Sequence, residues 1–152
     1  WTMLVPLSSL KVGMKGKIQS IDFEEQIKER FLAMGFVPGK DIELVHVSPF
    51  GDPMVFLIDD NKIMIRREQA GKILIDVGFL IDTLFSIPDG MCEVFTIDSG
   101  MMLYERLKSL GIYPGITGEK HLYKGRIFFR TNQKDILLGK RISRKILCKK
   151  YL

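Results

Sequence analysis

The chain repeats itself. Laid on itself at an offset of 76 residues, half its length of 152, Ile21-Asp22 falls on Ile97-Asp98, Arg30 on Arg106, Met34-Gly35 on Leu110-Gly111 and Pro38-Gly39 on Pro114-Gly115. The offset is 77 near the start, where Gly13-Met14 meets Gly90-Met91, and 73 near the end, where Lys72-Ile73-Leu74 meets Lys145-Ile146-Leu147. Small offset changes between ordered matches mark loop insertions in two diverged copies of one unit. A single large core is thereby excluded, and the expected organisation is residues 1–76, a connector at 77–85, and residues 86–152.

Each copy reads alike. A Gly-containing turn leads into a strand (16–21 or 91–97), followed by a short helix. In the first copy Asp22 is expected to cap that helix, with Glu25 reaching back as a capping box. Ile27, Phe31 and Met34 recur at helical spacing, and Leu103, Leu107 and Leu110 take the same places in the second copy. Gly35 and Gly111 suit the left-handed residue that ends a helix, and a Pro three residues later stops its resumption. Further short strands follow at 41–47, 54–58 and 63–65, and at 119–123, 126–130 and 136–138. A helical turn and a final strand, 73–76 or 146–149, close each copy. Five short strands in so small a unit predict a mainly β fold with short helices: two tandem, strongly bent antiparallel β-barrels. The stretch Val77-Gly78-Phe79-Leu80-Ile81-Asp82-Thr83-Leu84-Phe85 is apolar, unlike a Gly/Ser tether, and the two barrels are expected to pack on each other or on this linker.

Composition is that of a globular protein, with 46% hydrophobic and 27% charged residues, which excludes disordered and collagen-like classes. No apolar run reaches the roughly 18 residues of a membrane span. No secretory h-region opens the sequence, and a cytoplasmic location is expected. Trp1 and Thr2, ahead of Met3, read as an expression scar. The net charge of +5 is unevenly placed. Residues 1–76 hold 10 Lys and Arg against 11 Asp and Glu, and residues 77–152 hold 13 against 7. The basic excess belongs to the second half and points to an acidic partner.

No catalytic constellation is present, and no enzyme activity is expected. Gly35-Phe36-Val37-Pro38-Gly39-Lys40 has the wrong spacing for a phosphate loop, and Asp41 stands where Ser or Thr is needed. His46 and His121, Cys92 and Cys148 lack the spacing of a zinc site. Each His is expected on a strand, half-buried and hydrogen-bonded. The cysteines are expected as reduced, buried thiols. Two readings stay open for Met101, Met102 and Tyr104: part of a small core, or an adaptable Met-aromatic patch for a partner. The tail from Lys140 to Lys150 has six basic residues in eleven and reads first as a solvated basic face; contact with phosphate or anionic lipid is the second reading, ranked behind it because Ile142, Ile146 and Leu147 must face a core.

The first copy resembles the ferrous-iron transport protein A (FeoA) family of small SH3-like barrels. The resemblance rests on Leu7-Ser8-Ser9-Leu10-Lys11-Val12-Gly13, Arg30-Phe31-Leu32-Ala33-Met34-Gly35-Phe36-Val37-Pro38-Gly39, the hairpin Ser48-Pro49-Phe50-Gly51-Asp52-Pro53, and Ile63-Met64-Ile65-Arg66-Arg67-Glu68-Gln69-Ala70-Gly71-Lys72-Ile73. The second copy keeps Gly90, Arg106, Gly111, Pro114 and Gly115 but lacks the Pro-x-Gly-Asp-Pro hairpin. Leu138-Gly139-Lys140-Arg141 replaces the closing pattern, so it resembles a diverged second domain.

What the resemblance implies is two tandem SH3-like barrels acting as a non-enzymatic cytoplasmic accessory of ferrous-iron transport. The implied partner is the cytoplasmic face of a membrane iron transporter with a GTP-binding domain, and self-association is left open. Transition-metal binding enters only through family association, and no cofactor is expected. The determinants expected to flank the partner surface are Arg30, Gly35, Pro38 and Gly39, together with Pro49, Asp52 and Pro53 of the hairpin. Met101, Met102 and Tyr104 are the candidates in the second copy. The alternative is a nucleic-acid-binding or regulatory barrel using the basic half, for which Tyr123-Lys124-Gly125-Arg126-Ile127-Phe128-Phe129-Arg130 is the nearest match.

Overall fold

A computed structural model describes residues 2–152; Trp1, half of the pair read as a scar, lies outside the described residues. The chain divides into two compact units, one extending to Phe79 and including Leu152, the other Leu80–Tyr151.

In the first unit β1 (Met3–Pro6) runs through a 3-10 turn at Leu7–Ser9 to β2 (Lys15–Ile21) and helix α1 (Glu25–Met34). Strands β3 (Asp41–Val47), β4 (Met54–Ile58) and β5 (Asn61–Ile65) follow, then the short helix α2 (Arg67–Ala70) and β6 (Ile73–Val77). The strands form one six-stranded antiparallel sheet in the order β1-β6-β2-β3-β4-β5. Alternation decides which face is buried: Met54, Phe56 and Ile58 of β4 and Ile73, Ile75 and Val77 of β6 are inside. Register shifts between Ile18 and Ser20, and between Leu44 and His46, bend the sheet. Among the described residues its two edges, β1 and β5, are not paired with each other, so the bent sheet stops short of a fully closed barrel.

The second unit, with Phe79 at its margin, holds β7 (Phe79–Thr83), β8 (Gly90–Ile97), α3 (Met101–Ser109), β9 (Thr117–Tyr123), β10 (Arg126–Arg130), β11 (Asp135–Leu138), α4 (Lys140–Ser143) and β12 (Ile146–Tyr151). Its order, β11-β10-β9-β8-β12-β7, repeats that of the first sheet strand for strand. The apolar stretch 77–85 is built into this β structure: Val77 ends β6, and β7 takes in the second sheet the place of β1 in the first. Phe79 and Ile81 are buried and Leu80 and Asp82 half-buried, the two-residue period of a strand. The core of this unit gathers Leu84, Ile87, Val94, Leu107, Ile127 and Phe129.

The helices depart from the sequence expectation. Asp22 is not the cap of α1: its N–H donates to Lys72 O at 2.9 Å, which keeps it on the strand ladder, and the helix starts after Glu24 with no side-chain cap. Of the α1 stripe only Phe31 is buried, while Met34 is half-buried and Ile27 is 38% exposed. In α3 Leu107 is buried and Leu110 is 39% exposed. The α1 anchor lies near the helix C-terminus, where Phe31 stacks on Phe23 at 4.3 Å and meets Phe36 at 5.4 Å. Gly35 (φ 115°) and Gly111 (φ 98°) take the left-handed conformation, as their positions require.

Both histidines are exposed rather than half-buried. The register shift after Leu44 turns His46 outward, and the buried Lys120 puts His121 on the opposite, outer face of β9. His121 lies 3.4 Å from Asp89.

Candidate partner surface

In the first unit the hairpin between β3 and β4 is held from outside itself. Its own bonds are Ser48 N–H to Pro53 O at 3.1 Å and Gly51 N–H to Ser48 O at 2.7 Å, with Gly51 at φ 85°. Arg67, the first residue of α2, supplies the rest. Its backbone N–H donates to Asp52 Oδ1 at 2.9 Å, its Nε to Gly51 O at 2.8 Å and its Nη1 to Ser8 O at 2.6 Å. One side chain thus ties hairpin, closing helix and the Leu7–Ser9 turn together. Pro49 and Phe50 project from this scaffold, and the Phe50 ring is 96% exposed. An almost fully solvated aromatic on a braced loop is the kind of group an interface buries.

Segment 30–39 is anchored differently. Phe36 N–H donates to Phe31 O at 3.0 Å, and Gly35 lies against Ile58 and Ile63. Gly39 N–H donates to Ile18 O at 2.7 Å, and Ile18 N–H to Lys40 O at 2.9 Å, which fastens the turn to β2. Pro38 and Gly39 are exposed, and the Arg30 guanidinium sits 5.9 Å from the Phe31 ring centroid. Among the described residues no side-chain hydrogen bond or ion pair joins this segment to the 49–53 hairpin. The structure therefore presents two separately braced features, not one cluster.

In the second unit Met101 and Met102 are 74% and 86% exposed, so neither is core. Tyr104 is half-buried. The hairpin of the first unit is replaced by the two-residue turn Lys124-Gly125, with φ 52° and 74°.

Several features have no counterpart in the sequence expectation. Arg67 was visible only as part of the closing pattern; the signal was that hairpin and pattern disappear together in the second copy. Lys120 is 3% exposed, with Nζ donating to Phe85 O at 3.2 Å and to Ile87 O, and lies 3.2 Å from Asp89 Oδ1. Partial burial raises the Asp89 pKa. Hydrogen bonds from Lys120 and the Leu122 N–H, with the charges of Lys120 and His121, outweigh this and hold it below the ordinary carboxylate value. Cys92 and Cys148 are buried, free thiols as expected, and what the expectation lacked is their meeting across β8 and β12. The hydrogen bond between them lowers Cys92 and, with burial, pushes Cys148 upward. Among the described residues no three His, Cys, Asp or Glu side chains gather where a metal ion could be held. No helix there is long and apolar enough to cross a membrane.

A sequence model of the FeoA domain matches residues 5–77. Over 71 residues the chain is 37% identical to the Fe(2+) transport protein A/Fe(2+) transporter FeoB fusion protein of Porphyromonas gingivalis, a match spanning 47% of this chain but 8% of that one. It is 25% identical over 71 residues to a putative Fe(2+) transport protein A of Campylobacter jejuni, covering 96% of that protein. The solution structure of iron(II) transport protein A from Clostridium thermocellum superposes with a TM-score of 0.53 at 31% identity, covering 95% of this chain and 86% of that one.

Proposed function

The chain belongs to the FeoA family, and from that footing we propose that it serves ferrous-iron uptake as a non-enzymatic cytoplasmic accessory docking on the membrane iron transporter. One observation carries the reading: in the Porphyromonas gingivalis relative, the segment matched by this chain is covalently part of a protein named for both the transport protein and the transporter. Joining two modules in one chain raises their effective concentration for each other, an advantage where they act in contact. The braced hairpin with its solvated Phe50 supports a docking role for the first unit.

The test is co-purification of the full chain with the detergent-solubilised transporter. The wild type should be retained. Phe50→Ser should weaken capture about tenfold, as loss of an aromatic anchor does, and Arg30→Ala should weaken it less. No retention of the wild type, with both proteins folded, overturns the reading.

The nucleic-acid reading finds its best surface on the outer face of β9 and β10, where Tyr123 and Phe128 are exposed. One cation of that face is already engaged, since Arg130 Nε donates to Asp135 at 2.8 Å.

A further inference from the structure

The closing helix has changed its job between the two copies. In the first unit Arg67 is consumed by the hairpin, Glu68 follows it, and Gly71 ends the helix. In the repeat alignment Lys140 stands for Arg67, Arg141 for Glu68, Arg144 for Gly71 and Lys145 for Lys72. The hairpin that Arg67 holds is gone. Among the described residues no carboxylate lies within ion-pair distance of any of these four cations. Lys140 Nζ and Arg144 Cζ sit 5.4 and 5.2 Å from the Phe85 ring centroid, so one aromatic ring carries both heads. Lys145 O accepts the Asp98 N–H at 2.7 Å, which ties the turn after α4 to the segment entering α3. That helix begins with the solvated pair Met101 and Met102.

We propose that this surface of the second unit binds the anionic headgroups of a lipid bilayer. Lys140, Arg141, Arg144 and Lys145 supply the charge, and Met101 and Met102 enter the boundary between headgroups and acyl chains. Unpaired cations are attracted to an anionic leaflet, and unbranched thioether side chains adapt to an irregular apolar layer. The charge complementarity is specific to this copy, since the same four places in the first copy hold the engaged Arg67, Glu68, Gly71 and Lys72. Lipid is favoured over single-stranded nucleic acid because Phe85, the ring within the cationic cluster, is already covered by Lys140 and Arg144 instead of being open to a base.

Vesicle sedimentation with the full chain tests this without any transporter, so its failure is separate from failure of the docking reading. The wild type should sediment with phosphatidylcholine vesicles containing about 30% phosphatidylglycerol and not with pure phosphatidylcholine, and added salt should weaken binding. Arg141→Gln with Arg144→Gln should weaken partitioning about thirtyfold, at roughly fivefold per cation. Met101→Ser with Met102→Ser should weaken it about tenfold at the same salt. All four side chains are exposed, and circular dichroism checks that the variants keep the fold. No binding to anionic vesicles at about 50 mM salt overturns the proposal, as does binding unchanged in both double variants. Displacement of vesicles by an oligonucleotide, with the methionine variant binding normally, would also overturn it and assign the cations to nucleic acid.

Discussion

The backbone N–H of Arg67 donates to Asp52 Oδ1 at 2.9 Å while the guanidinium of the same residue reaches the carbonyls of Gly51 and Ser8. Asp52 is thereby locked to the start of α2, and a loop that would otherwise have few internal bonds becomes a fixed projection for Phe50. Arg67→Ala removes two charge-assisted bonds and keeps the backbone one, so a loss of about 1–3 kcal/mol is expected, felt locally. Amide hydrogen exchange at Ser48 and Gly51 should quicken. Arg67→Lys should not rescue it, because a single ammonium lacks the planar fork that serves two carbonyls. Unchanged protection of both amides in Arg67→Ala would contradict the bracing role.

Asp89, held beside Lys120, makes stability depend on pH. The native Asp89 carboxyl is held below its ordinary value, so its stabilising contribution is complete above the unfolded pKa, about 4. It is lost as pH falls through the lowered native pKa. Denaturant midpoints measured between about pH 6 and pH 2 should therefore fall less steeply in Asp89→Asn than in the wild type. The variant should also be weaker at neutral pH, since it leaves the Lys120 ammonium without its counter-charge. Parallel pH curves for the two proteins would refute the assignment.

Three glycines should rank by what a Cβ would meet. At Gly16 it would come to 2.1 Å from Asp76 O, a backbone atom that can retreat only by disturbing the β2–β6 pairing. At Gly118 it would press on Phe129 Cζ at 2.5 Å and Arg130 O at 2.8 Å. At Gly115 nothing lies within 4 Å, and the cost is the positive φ of 100° alone. Replacement by Ala should cost about 3 kcal/mol or more at Gly16, about 1–3 at Gly118 and about 1 at Gly115, read from urea unfolding. A different order would mean that the sheets yield where the packing says they are rigid.

The repeat, the glycine turns and the antiparallel strands were legible because each is written in short-range pattern: alternation, helical spacing and positive-φ residues. The helix faces were less so. Ile27 satisfies the same spacing as Phe31, yet only Phe31 has Phe23 and Phe36 to stack against, and spacing alone does not reveal which end of a short helix meets the sheet. The candidate surface was legible as a set of residues, but Arg67, which organises the hairpin, was hidden in a closing pattern 15 residues from Asp52.

By itself the sequence determined that there are two related units, which residues turn, and where the charge lies. Tertiary structure decided what those residues do. It put Cys92 beside Cys148, buried Lys120 under the carbonyls of Phe85 and Ile87, turned both histidines outward, and made the apolar stretch after Val77 the first strand of the second sheet. The physical reason is common to all four. Local periodicity reports which face of an element is apolar, whereas a partner across a strand ladder is chosen by register and by bulges, which depend on residues far away in the chain.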